Sequence, residues 1–147
     1  MGSEPGGHEP KRPSHCVERL RAAAEERDWE RLRALCRPDA LLVLRMTDGK
    51  ALTVDEAIAV LREDAAAGAY EPTHYYIGDL DERAAIAVGT VIGPNDQKPK
   101  HLCWLLTFVD GLLYRQALCP TADDAEKLYR ERGVELGLAA ERVGDGA

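Results

Sequence analysis

The stretch HLCWLLTFVDGLLYRQALC, His101 to Cys119, consists of two apolar runs hinged on Asp110-Gly111. Asp-Gly between such runs is the composition of a two-residue hairpin turn, because both central residues must adopt positive φ. The first run is apolar on both faces of a strand. Leu102, Trp104, Leu106 and Phe108 share one side, and Cys103, Leu105, Thr107 and Val109 share the other. A sheet with one wet face shows apolar-polar alternation instead. Both sides of this strand are therefore expected to be covered.

Working upstream, Thr73–Leu80 and Arg83–Ile92 read as two more strands, with Asp81-Glu82 turning between them and a longer polar turn over Gly93–Pro99. In the second, Ala85, Ala87, Gly89 and Val91 fall on one face. Downstream, Pro120 stops the last strand. Thr121 then caps a helix that runs to about Arg132, with Asp124 at the capping-box position.

The N-terminal half is helical in pattern. Ser14–Arg27 carries Val17, Leu20 and Ala24 at helical spacing, with Ser14 as the expected N-cap. Trp29, Leu32, Leu35 and Cys36 define a new apolar face. One bent helix would explain it; a second, short helix capped by Asp28 is the preferred reading. Pro38 holds Arg37 out of the α region and ends it. Ala40–Met46 is a short strand, and Thr47–Lys50 a turn. Thr53-Val54-Asp55-Glu56 is a capping box opening a helix that buries Val54, Ala57, Ile58, Leu61 and Ala65 and ends at Gly68. Helices and strands do not alternate regularly. The expected class is α+β with an antiparallel sheet.

Of the 147 residues, 45% are hydrophobic, 31% charged and 5% aromatic, with a net charge of −7. One domain with an aliphatic core fits these figures. The acidic balance removes the electrostatic drive for nucleic-acid binding and argues against a basic membrane patch. No apolar run approaches the length of a membrane span. Residues 1–13, MGSEPGGHEPKRP, lack the apolar core of a secretion signal and read as a disordered tail. The domain is expected over 14–133, followed by a weakly structured tail over 134–147, in the cytoplasm. Cys16, Cys36, Cys103 and Cys119 form no C-x-x-C pair and read as buried free thiols, not metal ligands.

The order of elements, with Asp28-Trp29, Arg37-Pro38-Asp39-Ala40, the capped helix over 53–67 and the hairpin Thr107–Leu113, resembles the nuclear transport factor 2-like superfamily. The likeness is to its SnoaL-like branch of polyketide cyclases and relatives of ketosteroid isomerase and scytalone dehydratase. It spans about Ser14 to Gly133. It implies a cone-shaped, strongly curved antiparallel sheet packed on N-terminal helices around a pocket, and commonly a homodimer through the outer sheet face. Two apolar strand faces agree with such pairing.

Within a pocket of this kind, the isomerase relatives use an acid as base and Tyr with a second acid as oxyanion donors. Neither strand of the last hairpin carries Asp or Glu. His74 is the remaining candidate base, and Tyr76, two residues on, is expected on the same face as its hydrogen-bond donor. The competing reading is a strand histidine held by a backbone partner. Trp104, Leu106, Phe108 and Trp29 are candidate wall residues, although both tryptophans serve equally well as packing. Arg115 and Gln116 lie on opposite faces, so at most one looks inward. An inward Arg115 would hold an anion, and an outward one would cover apolar surface. A regular two-residue turn places Leu106 across from Arg115. His101 reads as solvent-facing.

Three functions remain open. The first is binding of an undefined hydrophobic small molecule by a homodimer, without a cofactor or metal. The second is a small isomerase, cyclase or dehydratase using His74 and Tyr76. The third is a protein-interaction module built on the outer sheet face.

Overall fold

The computed structural model describes residues 12–45, 49–68, 71–93 and 96–138. Most of the N-terminal tail, residues 1–11, and residues 139–147 lie outside them, as does half of the expected turn at 47–50. In chain order the elements are α1 (Pro13–Glu25), α2 (Trp29–Ala34), β1 (Cys36–Val43), β2 (Ala51–Thr53), α3 (Val54–Ala67), β3 (Glu71–Asp79), β4 (Ala84–Ile92), β5 (Lys100–Val109), β6 (Leu112–Cys119) and α4 (Ala122–Arg132). A 3-10 turn, Gly133–Glu135, follows.

The six strands form one sheet in the order β2-β1-β6-β5-β4-β3. The class is α+β, as expected, but the sheet is mixed: β1 runs parallel to β6. Hairpin signals reveal pairs that are neighbours in sequence. No turn joins β1 to β6, so their relative direction left no local mark.

Local signals worked where the partners are local. Asp110 and Gly111 have φ of 55° and 78°, which the hairpin requires. The Thr53 hydroxyl accepts from the Glu56 amide at 3.3 Å while the Glu56 carboxylate accepts from the Thr53 amide at 3.0 Å. Gly68 ends α3 with φ of 66°. The Asp28 carboxylate caps α2 through the Arg31 amide, and Thr121 caps α4 through the Asp124 amide.

Several boundaries differ, and the short strand β2 was not expected. Ser14 is not the cap of α1. Pro13 takes the first helical position, and the Ser14 amide and hydroxyl donate to the Asp79 carboxylate at 2.7 and 3.0 Å. The end of β3 thus caps α1 from across the fold. β1 begins at Cys36, ahead of the expected Ala40, with Pro38 exposed in a stretch where the ladder to β6 is irregular. Pro lacks a ladder donor and is tolerated at such breaks.

The sheet separates two apolar cores. On the inner side, Leu20, Ala57, Ile58, Leu106, Phe108 and Leu113 pack with α1, α2 and α3. On the outer side, Ile86, Cys103, Leu105, Ala117 and Cys119 pack with Ala125 of α4 and Leu136 beyond the 3-10 turn. Packed structure therefore continues past Gly133, where Leu136 is buried. The apolar outer face that suggested a second subunit is covered by the chain's own C-terminal segment. Arg115 ties that segment down. One guanidinium nitrogen donates to the carbonyls of Asp39 and Tyr114 at 3.0 and 2.9 Å, and another to the Glu135 carboxylate at 3.3 Å. The Thr107 hydroxyl donates to the Val134 carbonyl at 2.7 Å.

Candidate functional site

A cavity of about 440 Å³ lies between the inner sheet face and the three N-terminal helices. Its position follows from how the helices divide the sheet. α1 rests on β3, β4 and β5, and α3 rests on β1 and β2. β6, between those two halves, borders the cavity through Leu113 and Gln116, with Trp29 and Leu32 of α2 and the end of α1 also lining it. The wall is mostly aliphatic: Val17, Leu20, Leu32, Leu42, Ile58, Leu61 and Leu106, with Trp29 and Trp104.

Among the described residues, the sheet contributes two polar side chains to this lining, His74 and Gln116. The His74 ring leans on Trp104, centroids 4.7 Å apart and planes tilted by 59°. Its Nδ1 is buried and has no hydrogen-bond partner among the described residues. Burial holds the His74 pKa below the usual histidine value, and the nearby Arg21 charge lowers it further, against the opposing pull of Glu25 and Glu18. The ring is thus predominantly neutral at pH 7. The Gln116 amide donates to the Val43 carbonyl at 3.4 Å.

The helices contribute charged groups in compensated sets. Arg21 pairs with Glu25 at 2.8 Å and Glu18 at 2.7 Å. Asp64 accepts from Arg45 at 2.8 Å, and Arg27 donates to the Ala65 carbonyl. An apolar void with a few polar groups suits a small-molecule site. The Cys36 thiol also lines it, but burial pushes its pKa up to about 12, so it is no nucleophile at neutral pH. No cluster of three or more His, Cys, Asp or Glu side chains fit to hold a metal ion occurs among the described residues.

The structure divides the residues singled out from the sequence. His74, Trp104, Leu106 and Trp29 line the cavity. Phe108 is buried in the inner core and is not part of the lining. Arg115 faces the outer side, stacked 3.9 Å from the Tyr114 ring and tied to the C-terminal segment. Gln116, its neighbour, is the inward residue. The expected pairing of Leu106 with Arg115 is replaced by Thr107 with Arg115, because the β5–β6 register shifts between Thr107 and Phe108.

Tyr76 does not join His74. The β3–β4 register shifts between these two residues, and the extra residue turns Tyr76 to the outer side. Its ring packs over Gly78 and is 56% exposed. His101 is exposed, as expected, with the Tyr75 hydroxyl 3.4 Å away. Arg21, Glu25 and Asp64 were missed. Arg21 follows Val17 by four on the stripe that carries Leu20 and Ala24, so its place at the cavity was legible.

No protein-family model matches the chain, and no curated protein matches it in sequence. Solved structures do match in shape. An NTF2-like protein of unknown function from Cytophaga hutchinsonii superposes with a TM-score of 0.60 at 5% identity, covering 74% of this chain and 90% of that one. The chain has the nuclear transport factor 2-like fold. A candidate polyketide cyclase from Sinorhizobium meliloti gives 0.60 at 20% identity, over 71% of this chain and 94% of its own. An LEH-like epoxide hydrolase from M. tuberculosis gives 0.57 at 17% identity, over 78% and 86%. Proteins named for different activities thus share this architecture, and identities this low establish shape, not chemistry.

Proposed function

We propose that this nuclear transport factor 2-like domain binds an apolar small molecule in its cavity, with His74 as the polar contact and Trp104, Leu106 and Trp29 as walls. The carrying observation is a buried imidazole nitrogen with no partner among the described residues, in a mostly apolar void. An unsatisfied buried polar atom is unfavourable by about 1–3 kcal/mol, and a ligand hydroxyl would relieve it. The charged groups around the cavity largely compensate one another, so the favoured ligand is uncharged. The homodimer expectation rested on an open apolar outer face; with α4 on that face, the reading needs no second subunit. Docking of another protein on the β4–β6 part of that face loses its surface for the same reason, while Tyr75 and Tyr76 of β3 stay exposed.

The test is thermal denaturation against a library of hydrophobic ketones, aromatic polyketides and acids, followed by imidazole NMR. A binder present at a hundredfold excess over its Kd adds about 2.7 kcal/mol of stability. Binders are expected to shift the His74 and Trp104 signals together. Binders that stabilise the chain yet leave both signals unmoved would exclude this site.

One observation favours a second reading, catalysis as an isomerase, cyclase or dehydratase. His74 is neutral at pH 7 with a free ring nitrogen, the state of a general base. Tyr76 takes no part, being outside the cavity. Glu25 and Asp64 reach the cavity from helices, each engaged by an arginine. In this reading His74→Gln would lower turnover by about 10²–10⁴-fold while ligand affinity falls far less. Equal losses in both would leave binding alone.

A further inference from the structure

Residues up to His74 pair in one register with β4, Thr73 opposite Thr90 and His74 opposite Gly89. From Tyr76 onward the register is one residue different, Tyr76 opposite Val88 and Ile77 opposite Ala87. Tyr75 is therefore the extra residue of a β-bulge. Ile77 and Ala87 belong to the inner core, which fixes the second half of β3. Counting back from Ile77 with regular alternation would put Tyr75 inward and His74 outward. The bulge reverses the two: His74 reaches the cavity, and Tyr75 is 62% exposed.

Gly89 stands across from His74 at this point. A Cβ on Gly89 would run into the Thr73 carbonyl oxygen and stand 2.9 Å from the His74 Cα. The bulged backbone of β3 thus fills the space that any side chain at position 89 needs. We propose that Gly89 is a positioning residue that admits the Tyr75 bulge and so selects His74, in place of Tyr75, for the cavity. The proposal rests on His74 being the ligand contact and deepens that reading. The two registers offer different chemistry. A neutral imidazole presents an acceptor to a ligand hydroxyl, whereas an inward phenol would present a donor to a carbonyl and occupy more of the void. One methyl group at position 89 thereby decides which polar group a ligand meets.

The experiment is histidine imidazole NMR titration of the full chain without ligand, with His15 as internal reference. In the unaltered chain the buried His74, with its ring against Trp104, is expected to titrate below the usual histidine value and to sense the Trp104 ring. Gly89→Ala is expected to move the His74 midpoint up towards that of an exposed histidine and to bring the Tyr75 ring into contact with Trp104, with His15 unchanged. Deleting Tyr75 removes the need for a bulge. In that background Gly89→Ala should be tolerated, with His74 returned to its low midpoint and its Trp104 contact. A folded Gly89→Ala chain whose His74 titrates as before would overturn the proposal. So would a chain with both changes in which His74 stays outward or folding is lost, and this holds even where Gly89→Ala alone fails to fold. These readouts need no ligand. A library without binders would remove the binding reading and leave the positioning result standing.

Discussion

Trp104, Leu106 and Phe108 point to the inner side of β5, while Cys103, Leu105 and Thr107 point to the outer side. The two faces of this strand are similarly apolar, yet one borders a void and the other is closed. On the outer side the side chains that meet α4 include Cys103, Ala117 and Cys119, with Ala125 on the helix itself. Small groups let a helix settle close to a sheet, and Ala125 and Cys103 are fully buried. Inside, α1 rests on β3, β4 and β5 and α3 on β1 and β2, and the cavity lies between these helices and the sheet. Apolar surface alone therefore specifies neither a pocket nor a partner. The placement of the covering helices decides.

That contrast can be broken most forcefully at Leu105, which has no exposed surface on the closed side. Leu105→Ala is expected to lower stability by about 3 kcal/mol, through lost burial and the hole left behind. Urea denaturation reads this; a loss below about 1 kcal/mol would mean that α4 does not close the outer face.

Next comes the clamp on the same side. Arg115→Leu leaves the Asp39 and Tyr114 carbonyls and the Glu135 carboxylate without their donor. A loss of about 2 kcal/mol is expected for charge-assisted bonds of this type. Amide exchange should quicken over 133–138 first and leave the cavity wall unaffected. Uniform quickening throughout the chain would contradict a local clamp.

Smaller still is the effect of truncating the open side. Trp104 is only partly buried and borders the void. Trp104→Leu should reduce stability less than Leu105→Ala does, because the shortened side chain already borders a void, while moving the His74 resonances. A loss matching that of Leu105→Ala would show that the inner face is packed shut.

The finest contrast is in pH. With its folded pKa below the usual value of 6.5, His74 accepts a proton more readily in the unfolded chain. Its contribution leaves stability highest above pH 6.5 and lowers it as the pH falls from there towards the folded pKa. His74→Gln should flatten this part of the stability profile. An unchanged slope would place the ring in water.

Much of this was legible in the chain itself. The Asp110-Gly111 hairpin, the Thr53–Glu56 capping box and the sidedness of β5 involve residues close in sequence, whose geometry follows from φ preferences, capping and period-two alternation. Alternation put Trp104 and Leu106 on one face, without deciding which face meets the cavity. Alternation also misled, at the two places where a strand holds one residue more than its partner. A bulge flips every assignment beyond it, so Tyr76 was placed with His74, and Arg115 opposite Leu106. Gly89 carried a trace of the first bulge, although a strand glycine has several meanings.

The amino-acid sequence by itself determined most of the helix and strand segments, β2 excepted, and which side chains need shelter from water, since these depend on neighbours a few residues away. Only the tertiary structure decided what provides that shelter: α4 on one side, helices around a void on the other, with β1 parallel to β6 and Asp79 capping a helix 65 residues distant. Those outcomes depend on how remote segments meet in space, and short-range preferences of the backbone carry no record of it.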